Sequence, residues 1–136
     1  MLGLKILLVE DNSSWQKILQ SKITSALQNI GRTDYKIEVI EYFDEAFQIL
    51  QESIWDLLVT DIKLRDSSAK TREKLGTQLI PIAQKNKIPA IAVTGTSILI
   101  TEEDEELLAN EASDVFRKNN FNSQEFMNKV EILLKK

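Results

Sequence analysis

Five side chains carry the chemistry this sequence could do: Glu10, Asp11, Asp61, Thr94 and Lys118. Each follows a run that reads as a strand. LKILLV leads into Glu10 and Asp11, DLLVT into Asp61, IPAIAV into Thr94 and DVFR into Lys118. Burying a carboxylate is costly unless something pairs with it. Three carboxylates crowded together also repel one another. A divalent cation relieves both costs. Mg²⁺ takes oxygen ligands and is commonly held by one or two carboxylates together with a phosphate. A lysine and a threonine are the groups that hold phosphate oxygens. An aspartate can serve as nucleophile and form an acyl phosphate, while metal and lysine offset the charge that builds on a transferring phosphoryl group. Taken singly, each residue has a plainer reading. Asp11 can cap a helix, Lys118 can be a solvated charge, and Thr94 can be a core hydroxyl. The joint pattern favours a site.

The elements that must bring these residues together are legible as an alternation. Strands are expected at 4–9, 36–42, 55–61, 88–94 and, more weakly, 114–118. A helix is expected at about 13–28, capped by Asp11, Asn12 or Ser13 and ended near Gly31. Trp15, Ile18, Leu19, Ile23, Ala26 and Leu27 would share its apolar face. DEAFQILQE, 44–52, reads as a short amphipathic helix. Another is expected at about 76–86, with Pro81 best accommodated in its first turn. Thr101 with Glu102, Glu103 and Asp104 looks like an acidic helix start. Asn122-Ser123-Gln124-Glu125 resembles a capping box that opens the last helix. Five strands alternating with five helices predict an α/β fold, a doubly wound parallel sheet covered on both faces. In such a sheet, ligands bind beyond the carboxyl ends of the strands. All five candidate residues stand there.

Composition narrows the function classes. The 136 residues suffice for one domain, 1–136, and the expectation is no attached output domain. Apolar residues make up 43% and charged residues 28%, an ordinary globular balance. The opening MLGLKILLV is too short for a secretory signal, and no segment approaches a membrane span. Cysteine is absent, which excludes disulfides and thiolate chemistry and suits a cytoplasmic location. Histidine is absent, which excludes a histidine base, ligand or phosphohistidine of the chain's own. The net charge of −4 gives no general support to nucleic-acid binding.

At the five strand-end residues the sequence resembles the response-regulator receiver domain, the phospho-acceptor module of two-component signalling. LKILLVEDNSSWQKIL is similar to the family's first strand and acidic pair. WDLLVTDIKL is similar to its third strand and acceptor, IPAIAVTG to the strand with the hydroxyl residue, and SDVFRKNNF to the strand with the lysine. The resemblance spans essentially the whole chain. It implies a flavodoxin-like five-stranded sheet in the order 2-1-3-4-5. It implies Mg²⁺ bound by Glu10, Asp11, Asp61 and the backbone carbonyl of Lys63. It implies that Asp61 accepts a phosphoryl group from a histidine kinase or histidine phosphotransfer protein, and that Thr94 and Lys118 hold the phosphoryl oxygens. Signalling would then run through contacts with a downstream protein, with no direct DNA binding and no membrane partner. The chain would catalyse its own phosphorylation and dephosphorylation without being a metabolic enzyme.

Four departures accompany the resemblance. Arg65 stands where the family usually has a proline. Gly76 comes fifteen residues after Asp61, so the loop between them is enlarged. Asn119 replaces the proline that usually follows the lysine. Val115 occupies the usual aromatic position, and Phe116 should face the other way in a strand. Two rivals follow. One is a degenerate receiver that docks a partner without phosphate. The other is a Mg²⁺-dependent phosphohydrolase on a similar sheet. The basic loop 63–74 reads as solvated, with gating of the acceptor as the alternative. SILI at 97–100 reads as packing inward, with a partner surface as the alternative. Trp15 reads as a packing residue at the rim.

Overall fold

A computed structural model describes residues 3–62, 64, 67, 75–95 and 114–135. The strands are β1 (Leu4–Val9), β2 (Tyr35–Ile40), β3 (Leu57–Thr60), β4 (Ala90–Thr94) and β5 (Asp114–Arg117). They form one sheet in the order β2-β1-β3-β4-β5, and every neighbouring pair is parallel. The α-helices among the described residues are α1 (Ser13–Asn29), α2 (Phe43–Glu52), α3 (Leu79–Lys85) and α4 (Ser123–Leu134). The helix expected from Thr101 and the SILI run lie outside the described residues, as does most of the loop 63–74.

The inner strands β1, β3 and β4 are buried on both sides, and their side chains divide by parity. Ile6, Leu8, Leu57, Val59, Ile91 and Val93 point to one face and pack with α1 and α4. Leu7, Val9, Leu58, Ala90 and Ala92 point to the other and pack with α2 and α3. That is why β1 and β4 read as continuous apolar runs rather than alternating ones. The same parity separates Val115 from Phe116. Val115 packs on the α2/α3 side, whereas Phe116 joins Phe121 and Phe126 on the α1/α4 side.

Local chemistry sets the helix ends. Asn12 caps α1: its side chain accepts the Trp15 N–H at 3.0 Å. Gly31 ends the segment with φ 73°, a left-handed conformation that favours glycine, and its N–H donates to the Gln28 carbonyl at 3.0 Å. Asn122 caps α4 by accepting the Glu125 N–H at 3.0 Å. Two expectations need correction. Ile18, expected on the apolar face of α1, is 38% exposed; the buried stripe is Leu19, Ile23, Ala26 and Leu27. The single helix expected at 76–86 is a 3-10 turn, Leu75–Gln78, followed by α3. Pro81 has no N–H to give the Thr77 carbonyl, so regular α-helical bonding starts late and Pro81 falls in the first turn of α3.

Candidate functional site

The register of the sheet builds the site. Val9 pairs with Thr60, so the next residues, Glu10 and Asp61, leave the sheet side by side. The Asp61 N–H still donates to the Val9 carbonyl at 2.9 Å, and the Glu10 N–H to the Ile40 carbonyl at 3.0 Å. Both backbones are therefore held by the ladder, and their carboxylates project over the carboxyl edge. Glu10 is fully buried and Asp61 is 5% exposed. Glu10, Asp11 and Asp61 each place a carboxylate oxygen within 4.8 Å of the others.

Lys118 closes the cluster from β5, where a 3-10 turn, Lys118–Asn120, begins as the strand ends. Its Nζ lies 2.7 Å from Glu10 Oε1 and 3.1 Å from Asp61 Oδ2. Asp61 Oδ1 accepts the Ile62 N–H at 2.7 Å. Glu10 Oε2 accepts the Asn12 N–H at 3.1 Å, and the Glu10 carbonyl accepts the Gln16 side chain at 2.6 Å. Each carboxylate of this pair is thus held from two sides. Thr94 ends β4 and is fully buried. Among the described residues its Oγ1 meets the Gly95 carbonyl, at 3.5 Å, a long contact. The structure therefore brings Glu10, Asp11, Asp61 and Lys118 into one cluster and stands Thr94 on the same rim. Lys63 lies outside the described residues.

Electrostatics give the cluster its character. Burial pushes the Glu10 carboxyl up to about 7, and the neighbouring Asp61 charge adds to the rise; the Lys118 ammonium and the Asn12 N–H oppose it. Three carboxylates facing one ammonium would carry a net charge of 1 − 3 = −2 when all are ionised. The donor atoms are all carboxylate oxygens, the set a hard cation prefers. A divalent cation fits this site in charge and in ligand type. A pH dependence follows. Glu10 ionises near 4.5 when unfolded and near 7 when folded and metal-free. The folded state therefore binds the extra proton between these values, and the metal-free protein should lose stability as pH rises through that window. Above the folded value the loss is complete. Urea unfolding at pH 5 and pH 8 measures it, and Mg²⁺ should restore stability at pH 8 more than at pH 5. A midpoint that is flat in pH, or Mg²⁺ rescue that is equal at both values, would contradict the assignment.

Two contacts at the site were not legible in the sequence. Gly76 donates its N–H to the Ile62 carbonyl at 2.8 Å. A methyl group at Gly76 would collide with the Asp61 carbonyl oxygen and lie 2.7 Å from Ile62 Cα. The chain at Gly76 therefore packs backbone on backbone against Asp61 and Ile62. Trp15, expected to pack at the rim, also presents its ring to the Lys118 ammonium at 5.3 Å. Its position in the first turn of α1, just past the acidic pair, was the available signal.

No family model matches the sequence, and no curated protein matches it. Solved structures do. The receiver domain of a Francisella response regulator is 25% identical, with a TM-score of 0.64, and the match covers 97% of each chain. A CheY-like receiver domain protein from Methanospirillum hungatei is 23% identical, with a TM-score of 0.68 over 99% of this chain and 95% of that one. The receiver domain of a sensor histidine kinase from Pseudomonas aeruginosa, solved with magnesium coordinated in its active-site cleft, is 22% identical. Its TM-score is 0.62, over 98% of this chain and 99% of that one. Over nearly its whole length, the chain has the fold of response-regulator receiver domains.

Proposed function

We infer that the chain accepts a phosphoryl group on Asp61 from a phosphohistidine of a partner protein. The observation that carries this reading is the buried cluster of Glu10, Asp11, Asp61 and Lys118 at the carboxyl edge of a receiver-type sheet. These 136 residues hold no histidine, so the phosphohistidine lies outside them. A histidine kinase or histidine phosphotransfer protein supplies one by its chemistry.

The residues have distinct roles in the transfer. An Asp61 carboxylate oxygen attacks phosphorus, the P–N bond to the donor imidazole breaks, and the bond's electron pair leaves with the imidazole. The product is an acyl phosphate on Asp61. The Ile62 N–H fixes the carboxylate plane by holding Oδ1. Lys118, already on Oδ2, meets the negative charge of the transferring group. Thr94, whose contact with the Gly95 carbonyl is long, can turn its hydroxyl to donate to a phosphoryl oxygen. Glu10, Asp11 and Asp61 would hold Mg²⁺, with the Lys63 carbonyl as a further ligand, and the ion would neutralise phosphoryl oxygen charge. Signalling then proceeds through protein contacts in the cytoplasm, without DNA contact. No helix among the described residues is long and apolar enough to cross a membrane.

One observation favours a second reading, a receiver that docks its partner without phosphate. Val115 packs where the family's usual aromatic would stand, and Phe116 is committed to the opposite core. The experiment that separates the readings uses a labelled phosphohistidine donor protein and Mg²⁺. One equivalent of label should move to the chain and then decay slowly. Failure to take label from any phosphohistidine donor, with intact partner binding, would support the second reading. Steady release of phosphate from small phosphoesters would instead indicate a phosphohydrolase.

A further inference from the structure

The transfer described above leaves one group at the rim without a role, the indole of Trp15. Its backbone is fixed, since its N–H bonds to the Asn12 cap at 3.0 Å. Its ring is fixed as well. It meets Phe121 edge-on, with centroids 5.3 Å apart and planes at 84°. Phe121 rests in turn on Phe126 at 5.4 Å and Phe116 at 6.1 Å. Phe126 is fully buried. Trp15 is thus the outer member of an aromatic column rooted in the α1/α4 core. The column ends at a cation: the Lys118 Nζ stands 5.3 Å from the Trp15 ring centroid while bonding Glu10 and Asp61.

Lysine needs such support here. Its stem has four carbons and its ammonium is a point charge with no preferred direction of approach. The backbone gives little help, because the β5 strand stops at Arg117 and turns. The anionic partners of Lys118 also change during the proposed transfer. Asp61 is converted from carboxylate to acyl phosphate, and Glu10 would share its charge with a metal ion. The ring face is the contact whose charge stays constant. Its quadrupole attracts an ammonium most strongly for tryptophan.

The geometry points to Trp15 as a positioning residue that holds the Lys118 ammonium at the acceptor before and after Asp61 is phosphorylated. This rests on the role proposed for Lys118 and assigns Trp15 no contact with the phosphoryl group. An aliphatic side chain would keep the position apolar yet leave the ammonium free to swing toward solvent. A purely structural tryptophan would not discriminate between effects on Lys118 and effects elsewhere.

The test compares Trp15→Leu and Trp15→Phe, each in the wild-type and the Lys118→Met background. Phosphorylation by acetyl phosphate with Mg²⁺ is followed by intact mass. Trp15→Leu should slow it about five- to tenfold, and Trp15→Phe, which keeps a ring face, by no more than about twofold. In the Lys118→Met background Trp15→Leu should change the rate by less than about twofold. A second readout needs no phosphorylation. The rate at which an amine-reactive reagent modifies Lys118, read by peptide mass, should rise several-fold in Trp15→Leu and little in Trp15→Phe. Equal slowing by Leu and Phe, or a Leu effect retained in full without Lys118, would overturn the proposal. So would unchanged Lys118 reactivity in Trp15→Leu. If the wild-type chain takes no phosphoryl group, the proposed function fails, and the reactivity of Lys118 still decides the Trp15 contact. Should Trp15→Leu fail to fold, Trp15→Met, which also lacks a ring face, takes its place against Trp15→Phe, with the same roughly five- to tenfold slowing expected in the wild-type background and less than about twofold in the Lys118→Met background.

Discussion

Replacing Lys118 with methionine should cost the metal-free protein about 3 kcal/mol of stability at pH 8, the low end for breaking a buried pair. The ammonium bonds two carboxylates that water scarcely reaches, Glu10 at 2.7 Å and Asp61 at 3.1 Å. Methionine keeps most of the stem's packing and removes the charge. The loss stays at the low end because Glu10 has an escape. Its carboxyl already titrates near 7 against the opposition of Lys118, so without the lysine it takes up a proton at still higher pH. The deficit should therefore be smaller at pH 5, where Glu10 is protonated in the folded state of both proteins and the Asp61 contact is the one lost. Mg²⁺ should return much of the loss at pH 8, since a cation on the same oxygens replaces the missing charge. Urea unfolding followed through Trp55, with and without Mg²⁺ at the two pH values, measures all three effects. An unchanged midpoint at pH 8 would mean that the ion pair contributes nothing to the fold.

Gly76→Ala should be at least as damaging, through geometry rather than charge. The added methyl would meet the Asp61 carbonyl oxygen and the Ile62 Cα, both backbone atoms that cannot rotate away. Asp61 is tied to β1 through its N–H and Ile62 is fully buried, so the strain has no soft outlet. We expect a loss of about 3 kcal/mol, the upper part of the range for overpacking. Because the Ile62 N–H also orients the Asp61 carboxylate, phosphorylation of the surviving folded protein should slow by at least about tenfold, as expected for a misplaced reacting atom. Gly95→Ala is the control. Among the described residues nothing lies within 4 Å of a methyl at Gly95, so its stability should stay near that of the wild type. Equal behaviour of the two variants would show that the close approach at Gly76 carries no energetic weight.

The contrast between these residues shows what the sequence could and could not say. The carboxyl edge was legible because the candidate residues stand at the ends of strand-like runs, and a run fixes where its end must stand. Strand order and the two-faced burial followed from alternation and from the resemblance. The splitting of the third helix was foreshadowed by Pro81, whose missing N–H is a local property. Ile18 was misplaced because a helical face of about 100° has edges, and a residue at the edge can turn outward. Gly76 was opaque for a different reason. Its partner lies fifteen residues back across a loop without periodicity, and no local pattern encodes that return. The Trp15–Lys118 contact is longer still in sequence and depends on how α1 and the turn after β5 lie together. The expectations for Lys63, Arg65, the 97–100 run and the helix from Thr101 fall outside the described residues.

The central claim is that Asp61 accepts a phosphoryl group, and intact mass measures it directly. Wild-type protein and Asp61→Asn are incubated with Mg²⁺ and acetyl phosphate. The wild type should gain the mass of one phosphoryl group, lose it on hydroxylamine treatment, and gain none when Mg²⁺ is chelated. Asp61→Asn should gain none under any condition. A gain by both proteins would place the modification on another residue. No gain by the wild type, with neither acetyl phosphate nor a phosphohistidine protein as donor, would contradict the claim outright.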